Sequence, residues 1–200
     1  MSDLYLNVSA IRRRTRVNGP GLRTAVWVQG CSIRCPGCFN PDTHPHTARA
    51  LFDPEVLAEQ LLTDSDVEGI TILGGEPFEQ ALACARLARH ARRRGASVVT
   101  YSGYPAPYLI GSPLEPVQAL LAATDLLIAG PFVHKYANDG QGWHGSTNQE
   151  LVFLTSRYDD AVRAELHRLP VVEVRTDGTL GDVTGIPATH DLGALLGTAQ

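Results

Sequence analysis

Three of the four cysteines in the chain lie within eight positions, at Cys31, Cys35 and Cys38. Spacings of x3 and x2, with a Pro-Gly turn before the last cysteine, allow the three sulfurs to converge on one inorganic centre. Thiolate is the ligand that zinc and iron–sulfur clusters prefer. A disulfide framework does not fit, because three thiols cannot pair off and the fourth, Cys84, lies in an alanine-rich helical pattern. The loop therefore predicts a metal or cluster site.

Three kinds of centre fit these ligands. A structural zinc site needs four protein ligands, and His44, six residues beyond Cys38, could supply the fourth. An electron-transfer ferredoxin needs a fourth cysteine, but we expect Cys84 to be a small core residue, since free cysteine is commonly buried. In the third alternative, three thiolates hold three irons of a [4Fe–4S] cluster and leave one iron open to an exogenous ligand. An open coordination position on iron would let the cluster bind and react with that ligand.

The elements around the loop follow an alternating pattern. A predicted strand over residues 25–29 leads directly into the cysteines, and Asn18-Gly19-Pro20-Gly21 before it is a turn with two glycines free to adopt positive φ. A buried strand over residues 69–73 ends on Gly74-Gly75-Glu76-Pro77. Strands, glycine-bearing loops and helices then alternate, which is typical of βαβ units around a parallel sheet. The sequence therefore predicts an α/β fold with its functional loops at the carboxyl ends of strands.

The remaining elements are predicted from residue type and turn signals. Asp53-Pro54 is a typical helix start, with a cap followed by proline in the first turn. Gly95 is a typical helix end, and Asp177-Gly178 a hairpin turn. Further strands are predicted over residues 4–8, 97–101, 125–129, 151–154 and 171–175, and helices over residues 53–61, 80–93, 114–123, 159–167 and 192–196.

Composition narrows the class of protein. With 200 residues and 44% hydrophobic side chains, we expect a single domain over residues 1–200. The net charge is −4, and we expect the short arginine groups at 12–16 and 92–94 to be a solvated strand face and a helix C-terminus, so no nucleic acid is expected as a partner. No signal-like or membrane-length apolar run is present in the sequence, which predicts a cytoplasmic protein with reduced thiols and no membrane partner.

Several motifs together resemble the radical S-adenosylmethionine (SAM) superfamily. Cys31-x3-Cys35-x2-Cys38 and Gly74-Gly75-Glu76-Pro77 resemble its pair of signature motifs. Within the superfamily the chain resembles the activating enzymes of anaerobic ribonucleoside-triphosphate reductase, a family of glycyl-radical activases. The stretches that carry this closer resemblance are Asn18-Gly19-Pro20-Gly21-x-Arg23, Trp27-Val28-Gln29-Gly30-Cys31, Cys35-Pro36-Gly37-Cys38-Phe39-Asn40, Thr100-Tyr101-Ser102-Gly103-Tyr104, Gly130-Pro131-Phe132 and Trp143-x-Gly145-Ser146-Thr147-Asn148-Gln149.

The resemblance implies a partial βα barrel with a core over about residues 18–155 and a C-terminal β/α extension over about 156–200. It also implies one [4Fe–4S] cluster and SAM as cofactors. In that superfamily SAM chelates the open iron through its amino and carboxylate groups. One electron from the reduced cluster cleaves it to methionine and a 5′-deoxyadenosyl radical, which takes a hydrogen atom from the target. The protein's task is to orient these groups and to exclude competing quenchers.

By the same resemblance, Cys31, Cys35 and Cys38 are the cluster ligands. Gly37 and Phe39, on either side of the last cysteine, are implied to approach the adenine of SAM. The aromatic residue here follows the last cysteine, whereas in many superfamily members it precedes it; this order matches the activase subgroup.

The Gly74-Gly75-Glu76 segment is implied to contact the methionine end of SAM. Gly74 and Gly75 would let a strand edge approach the amino group, where a side chain would collide. Glu76 could accept a hydrogen bond from that ammonium, the alternative being a helix-start acid. Ser102 and Asn148 are expected to contact ribose or the substrate loop, with ordinary turn or cap roles as the alternative.

The resemblance implies hydrogen abstraction from a glycine of a partner protein, a glycyl-radical enzyme such as anaerobic ribonucleotide reductase, with flavodoxin or ferredoxin as electron donor. The alternatives are a radical SAM enzyme acting on a small molecule or peptide and, from another class, a zinc-stabilised binding module. Two departures concern the target: Ala129 stands where the subgroup commonly has aspartate, and residues 150–200 extend beyond the compact activase pattern.

Overall fold

The framework of the protein is a β-sheet whose strands are connected by helices and loops. The computed structural model describes residues 4–137, 142–158, 160–165, 172–176 and 181–185. The strands within these residues are β1 (Leu6–Thr15), β2 (Arg23–Val28), β3 (Ala50–Phe52), β4 (Gly69–Gly74), β5 (Ser97–Ser102), β6 (Leu126–Ala129), β7 (Glu150–Phe153), β8 (Val172–Thr176) and β9 (Gly181–Gly185). The helices are α1 (Pro54–Leu61), α2 (Ala81–Arg93), α3 (Ala106–Ile110), α4 (Glu115–Ala122) and α5 (Asp160–Glu165).

Seven of these strands form one sheet in the order β3-β1-β2-β4-β5-β6-β7. Neighbours within the central group β2-β4-β5-β6 are parallel, which confirms the predicted α/β fold. The flanking strands β1, β3 and β7 pair antiparallel, which the alternating pattern did not predict. The physical reason is the connections: β1 reaches β2 through residues 16–22 and β6 reaches β7 through residues 130–149. Among the described residues of these connections there is no crossover helix of the kind that a parallel pair requires.

Local signals in the sequence set the helix ends. The Asp53 carboxylate accepts hydrogen bonds from the backbone N–H groups of Glu55 (2.9 Å) and Val56 (3.1 Å), so α1 begins at its capped proline as predicted. Helix α2 ends before Gly95, whose φ of +83° is the left-handed conformation that glycine adopts without strain. Cys84 on α2 is completely buried in the main core, which confirms its predicted packing role.

Side chains alternate between the two faces of the sheet. On one face Val26, Ile72, Val98 and Leu127 pack with α1, α2 and α4 in the main hydrophobic core. On the opposite face a smaller core contains Val99, Leu126, Ile128, Trp143 and Tyr158. On this second face Trp27 of β2 and Leu73 of β4 line a cavity at the carboxyl ends of the strands.

Arg23, at the start of β2, is completely buried. Its guanidinium donates to the carbonyls of Pro20 (2.5 Å) and Ile70 (2.7 Å) and to the hydroxyls of Thr71 (2.8 Å) and Tyr158 (3.1 Å), among other acceptors. In the preceding turn Gly19 and Gly21 have φ of +137° and +74°, which confirms the turn prediction. This motif therefore organises the amino ends of the strands, at the opposite end of the sheet from the cysteines.

Several predictions need correction or lie outside the described residues. Strand β1 is longer than the predicted 4–8, and β3 and α3 were not predicted. Arg12, expected on a solvated face, is 6% exposed. Strands β8 and β9 pair antiparallel, while the predicted turn at Asp177-Gly178 and the predicted helix over 192–196 lie outside the described residues. Across the described part of the chain, none of the helices combines the length and apolar character needed to cross a bilayer.

Candidate metal centre

The loops that follow β2, β4, β5 and β6 converge on one cavity of about 670 Å³. This volume falls in the range of ordinary small-molecule sites, about 300–1,000 Å³. Its walls include every predicted site residue on the strand ends and on the cysteine loop except Gly37. Asn148 also lies outside the lining, and its side-chain amide donates to the Pro131 carbonyl (2.8 Å), which is the turn role given as its alternative.

The three cysteines lie on one wall of this cavity, and all are free and half-buried. The first is fixed by its backbone, because the Cys31 N–H donates to the His44 carbonyl (3.1 Å). The other two are joined by a tight turn in which the Cys38 N–H donates to the Cys35 carbonyl (3.1 Å). Positive φ values at Arg34 (+50°) and Gly37 (+75°) let the loop fold back on itself. All three cysteines therefore line one cavity, and the convergence of their sulfurs on one centre remains a prediction.

Backbone amides are directed at two of the sulfurs. Burial raises the pKa of the Cys31 thiol, and the backbone N–H groups of Arg34 and Ile33 act in the opposite direction. Burial likewise raises the pKa of the Cys38 thiol, against which the Asn40 N–H, 3.4 Å from the sulfur, acts. Amides aimed at sulfur stabilise thiolates and tune iron–sulfur clusters, so this donor set suits a cluster.

The spacing of the candidate ligands bears on the zinc alternative. Among the described residues, no three side chains of His, Cys, Asp or Glu are grouped closely enough to form a site for one metal ion. A zinc tetrahedron of the three cysteines and His44 would require all four donors within one coordination shell. A [4Fe–4S] cluster instead bonds each thiolate to a different iron, which spreads the sulfurs more widely. The amides aimed at the sulfurs and the number of cysteines suit a cluster with one open iron, whereas the zinc alternative would need His44 in the same coordination shell.

Gly74 and Gly75 lie against the end of β2. An ideal Cβ at Gly74 would lie 2.6 Å from the Trp27 Cα, and one at Gly75 would lie 2.3 Å from the Gly30 carbonyl oxygen. Gly74 also has φ of +105°. The approach of a ligand was the predicted reason for these glycines, but contacts with the protein backbone already exclude any side chain at both positions.

Glu76 is 1% exposed and bonded on both oxygens. Its Oε1 accepts from the Phe78 N–H (2.9 Å) and the Ser102 hydroxyl (3.0 Å), and its Oε2 accepts from the Gly103 N–H (2.8 Å). Burial raises the pKa of Glu76 to about 7, against the effect of these three donors. Glu76 thus has the helix-start role given as its alternative, and it also anchors the β5 loop. Ser102 supports Glu76, although both line the cavity.

An aromatic wall completes the site next to the last cysteine. The rings of Phe39 and Phe132 are 4.9 Å apart between centroids. A Cβ on Gly145 would lie 3.1 Å from Phe39 and 3.2 Å from Phe132, so glycine makes room for this pair. Gly37 lies behind the wall, where a Cβ would be 3.2 Å from His134. Phe132 belongs to the Gly130-Pro131-Phe132 motif, but no role was predicted for it from the sequence.

Strand β9 also reaches the cavity, a contact that was not predicted. Thr184 and Gly185 of β9 are part of its lining. Thr184 is buried, and its hydroxyl donates to the Asn18 side-chain oxygen (3.1 Å) in the turn before β2. No local sequence signal indicated this contact, because the two residues are far apart in the chain.

Comparisons with known proteins show what the chain is similar to. The profile of a family described as "4Fe-4S single cluster domain" matches residues 17–152. The chain is 32% identical over 145 residues to the anaerobic ribonucleoside-triphosphate reductase-activating protein of Vibrio cholerae, covering 68% of this chain and 90% of the relative. The protein of the same name from Salmonella typhimurium is 30% identical over 146 residues, covering 69% and 92%. A shorter match, 35% over 86 residues, is to the pyruvate formate-lyase-activating enzyme of Listeria monocytogenes, covering 40% and 34%.

Proposed function

The chain belongs to the 4Fe-4S single cluster domain family and to the glycyl-radical activating enzymes of the radical SAM superfamily, and from this premise we propose that it activates a partner protein by removing a hydrogen atom from a glycine. The observation that carries the proposal is the shared cavity. Three free thiols, the Gly74–Glu76 segment and an aromatic wall all line it.

We assign the residues of the site as follows. Cys31, Cys35 and Cys38 hold the cluster, and their number leaves one iron for SAM. When bound, the cluster and SAM supply one-electron cleavage of the sulfonium and a 5′-deoxyadenosyl radical. Phe39, with its ring against Phe132, provides an apolar surface for the adenine and excludes water from that side.

The strand-end segment binds the polar end of SAM. Gly74 and Gly75 expose backbone to the cavity because neither position has room for a side chain. Glu76 remains beside them as an acceptor for an ammonium group, with Ser102 and the Gly103 N–H holding its carboxylate in place. Gly37 shapes the turn behind the aromatic wall.

The target is the part of the proposal that depends on the relatives. They are named for activating anaerobic ribonucleoside-triphosphate reductase and pyruvate formate-lyase, and both names refer to activation of another enzyme. Ala129, which replaces the aspartate usual in the subgroup, is buried in the main core and offers no polar group. On the names of these relatives, we propose a glycyl-radical enzyme of the anaerobic ribonucleotide reductase type as the partner.

The remaining assignments follow from the same premise. We propose that the central parallel strands form an incomplete βα barrel, supported by the convergence of their carboxyl-end loops on one cavity. A single domain is proposed, with β8 and β9 as part of an extension beyond the family profile. A small acidic redox protein, flavodoxin or ferredoxin, is proposed as the electron donor, and the reducing cytoplasm as the compartment.

The test is anaerobic reconstitution followed by three measurements. We expect about four irons and four sulfides per chain, 5′-deoxyadenosine and methionine on addition of dithionite and SAM, and a glycyl-radical doublet in electron paramagnetic resonance when the candidate partner is present. A colourless protein with one zinc per chain would overturn the proposal. Production of 5′-deoxyadenosine that depends on a small substrate, with no protein radical, would replace the activase assignment by the small-molecule alternative.

A further inference from the structure

A polar network lies on the outer side of the cysteine loop, next to Cys31. The Glu79 Oε1 accepts hydrogen bonds from the Ser32 backbone N–H (2.9 Å) and from the Tyr104 hydroxyl (3.3 Å). Its Oε2 accepts from the Ser32 hydroxyl (3.2 Å). The side chain of Glu79 is 18% exposed. One largely buried carboxylate therefore accepts hydrogen bonds from both the backbone and the side chain of Ser32, the residue that follows Cys31.

His46 also belongs to this network, which therefore contains the residue types of a Ser-His-acid triad but not its geometry. Its Nε2 lies 3.2 Å from the Ser32 hydroxyl and 3.5 Å from the Glu79 Oε2. A Ser-His-acid relay requires the acid on the other ring nitrogen, opposite the serine. Here the Nδ1 faces Gly30, where an added Cβ would lie 2.8 Å away. The network is therefore a support for the loop and not a nucleophile.

The grip on Ser32 fixes the first cysteine from a second side. The Cys31 N–H already donates to His44, and the Gly30 carbonyl accepts from the Glu76 N–H (2.8 Å). With Glu79 on the following residue, the backbone on both sides of Cys31 is held by elements outside the loop. The hydrogen bonds at Cys38, from its own N–H and from Asn40 to its sulfur, stay within the loop.

The Glu79 carboxylate holds Ser32 through two hydrogen bonds, which we call the clamp, and it carries a negative charge. We propose that Glu79 is a positioning residue that holds Cys31 in place and keeps the reduction potential of the cluster low. The inference rests on the proposed function, since it needs a cluster at Cys31. A negative charge near an iron–sulfur cluster disfavours the added electron and lowers the potential, and a low potential makes the reduced cluster a stronger donor to SAM.

Two substitutions separate the clamp from the charge. Glu79→Gln keeps an amide oxygen for the Ser32 N–H and removes the charge. We expect iron content as in the unchanged protein and a midpoint potential shifted to more positive values. Glu79→Ala removes both, and we expect the same direction of shift together with alkylation of Cys31 by iodoacetamide in the metal-free protein that is at least roughly threefold faster than in Glu79→Gln, which already lacks the charge, with Cys38 as the internal reference.

The matched control is Glu55→Gln on α1. It removes a carboxylate whose Oε1 lies 3.6 Å from the Arg86 Nη2. We expect it to leave the potential and the alkylation rates unchanged. If Glu79→Ala does not fold, Ser32→Ala tests the clamp, because it removes the hydroxyl contacts alone and we expect faster alkylation of Cys31.

The outcomes distinguish this inference from the proposed function. A Glu79→Gln protein with the potential of the unchanged protein overturns the role of the charge. Alkylation of Cys31 that does not respond to Glu79→Ala or Ser32→Ala overturns the clamp. An unchanged protein that binds no cluster, or that binds one and does not cleave SAM, overturns the proposed function itself.

Discussion

Gly75 lies against the carbonyl oxygen of Gly30, so close that a Cβ at position 75 would lie 2.3 Å from it. The Gly75 N–H donates to the Val28 carbonyl (2.8 Å) and the Glu76 N–H to the Gly30 carbonyl (2.8 Å). The two motifs therefore meet backbone to backbone at the base of the cysteine loop. This contact sets how the cluster ligands face the segment proposed to bind SAM.

Gly75→Ala is expected to lower the free energy of unfolding by about 1–3 kcal/mol and to reduce cluster content, because the added methyl meets backbone that has no room to move. The control is Gly95→Ala, at a position with φ of +83° and open space around the Cβ. It should cost about 1–2 kcal/mol through backbone strain alone and leave cluster content intact. Denaturant unfolding and iron analysis measure both; equal iron loss in the two variants would contradict the contact argument.

Cys35→Ala is expected to abolish cluster assembly, whereas Cys84→Ala should retain it. Cys35 lines the cavity, while Cys84 is completely buried among the alanines and leucines of α2. The cost of Cys84→Ala should be on the order of 1 kcal/mol, since little volume is removed from the core. Iron and sulfide content with visible absorbance provides the measurement. Loss of absorbance in both variants would show that the ligand assignment is wrong.

The metal-free protein should lose stability as the pH rises from about 4.5 to 7. Burial raises the pKa of Glu76 to about 7 from its ordinary 4.5, so the folded state keeps a proton that the unfolded state has released. Stability from this group is therefore complete below about pH 4.5 and is lost as pH passes through 7, by up to about 3 kcal/mol. Glu76→Gln should flatten the pH dependence of the unfolding free energy in that window. An unchanged slope would mean that Glu76 does not titrate there.

Arg23→Lys is expected to destabilise the protein by about 3–5 kcal/mol, because a lysine ammonium cannot reach the acceptors of the guanidinium and keeps a charge in a buried site. Arg13→Lys on the exposed side of β1 should change the unfolding free energy by less than about 0.5 kcal/mol. Iron bound per folded molecule should stay the same in both. A selective loss of iron in Arg23→Lys, without loss of stability, would point to a role in the site instead.

The sequence by itself predicted the candidate ligands and most of the framework. Cysteine spacing depends on neighbours within eight positions, and the caps at Asp53 and Gly95 depend on a single turn of chain, so local chemistry was enough to predict them. The parallel centre of the sheet followed from the alternation of strands and helices. The C-terminal extension gave the weakest pattern.

Tertiary structure alone decided which residues face which. Glu76 turned out to be bonded to Ser102 and Gly103 of the next strand loop, and Glu79 to Ser32, because loops remote in sequence meet at the carboxyl ends of adjacent parallel strands. The same holds for Thr184 against Asn18. Such contacts depend on strand order and register, and no local propensity encodes them. The sequence therefore predicts the candidate donors of the centre, while the sheet determines the charges and hydrogen bonds that surround them.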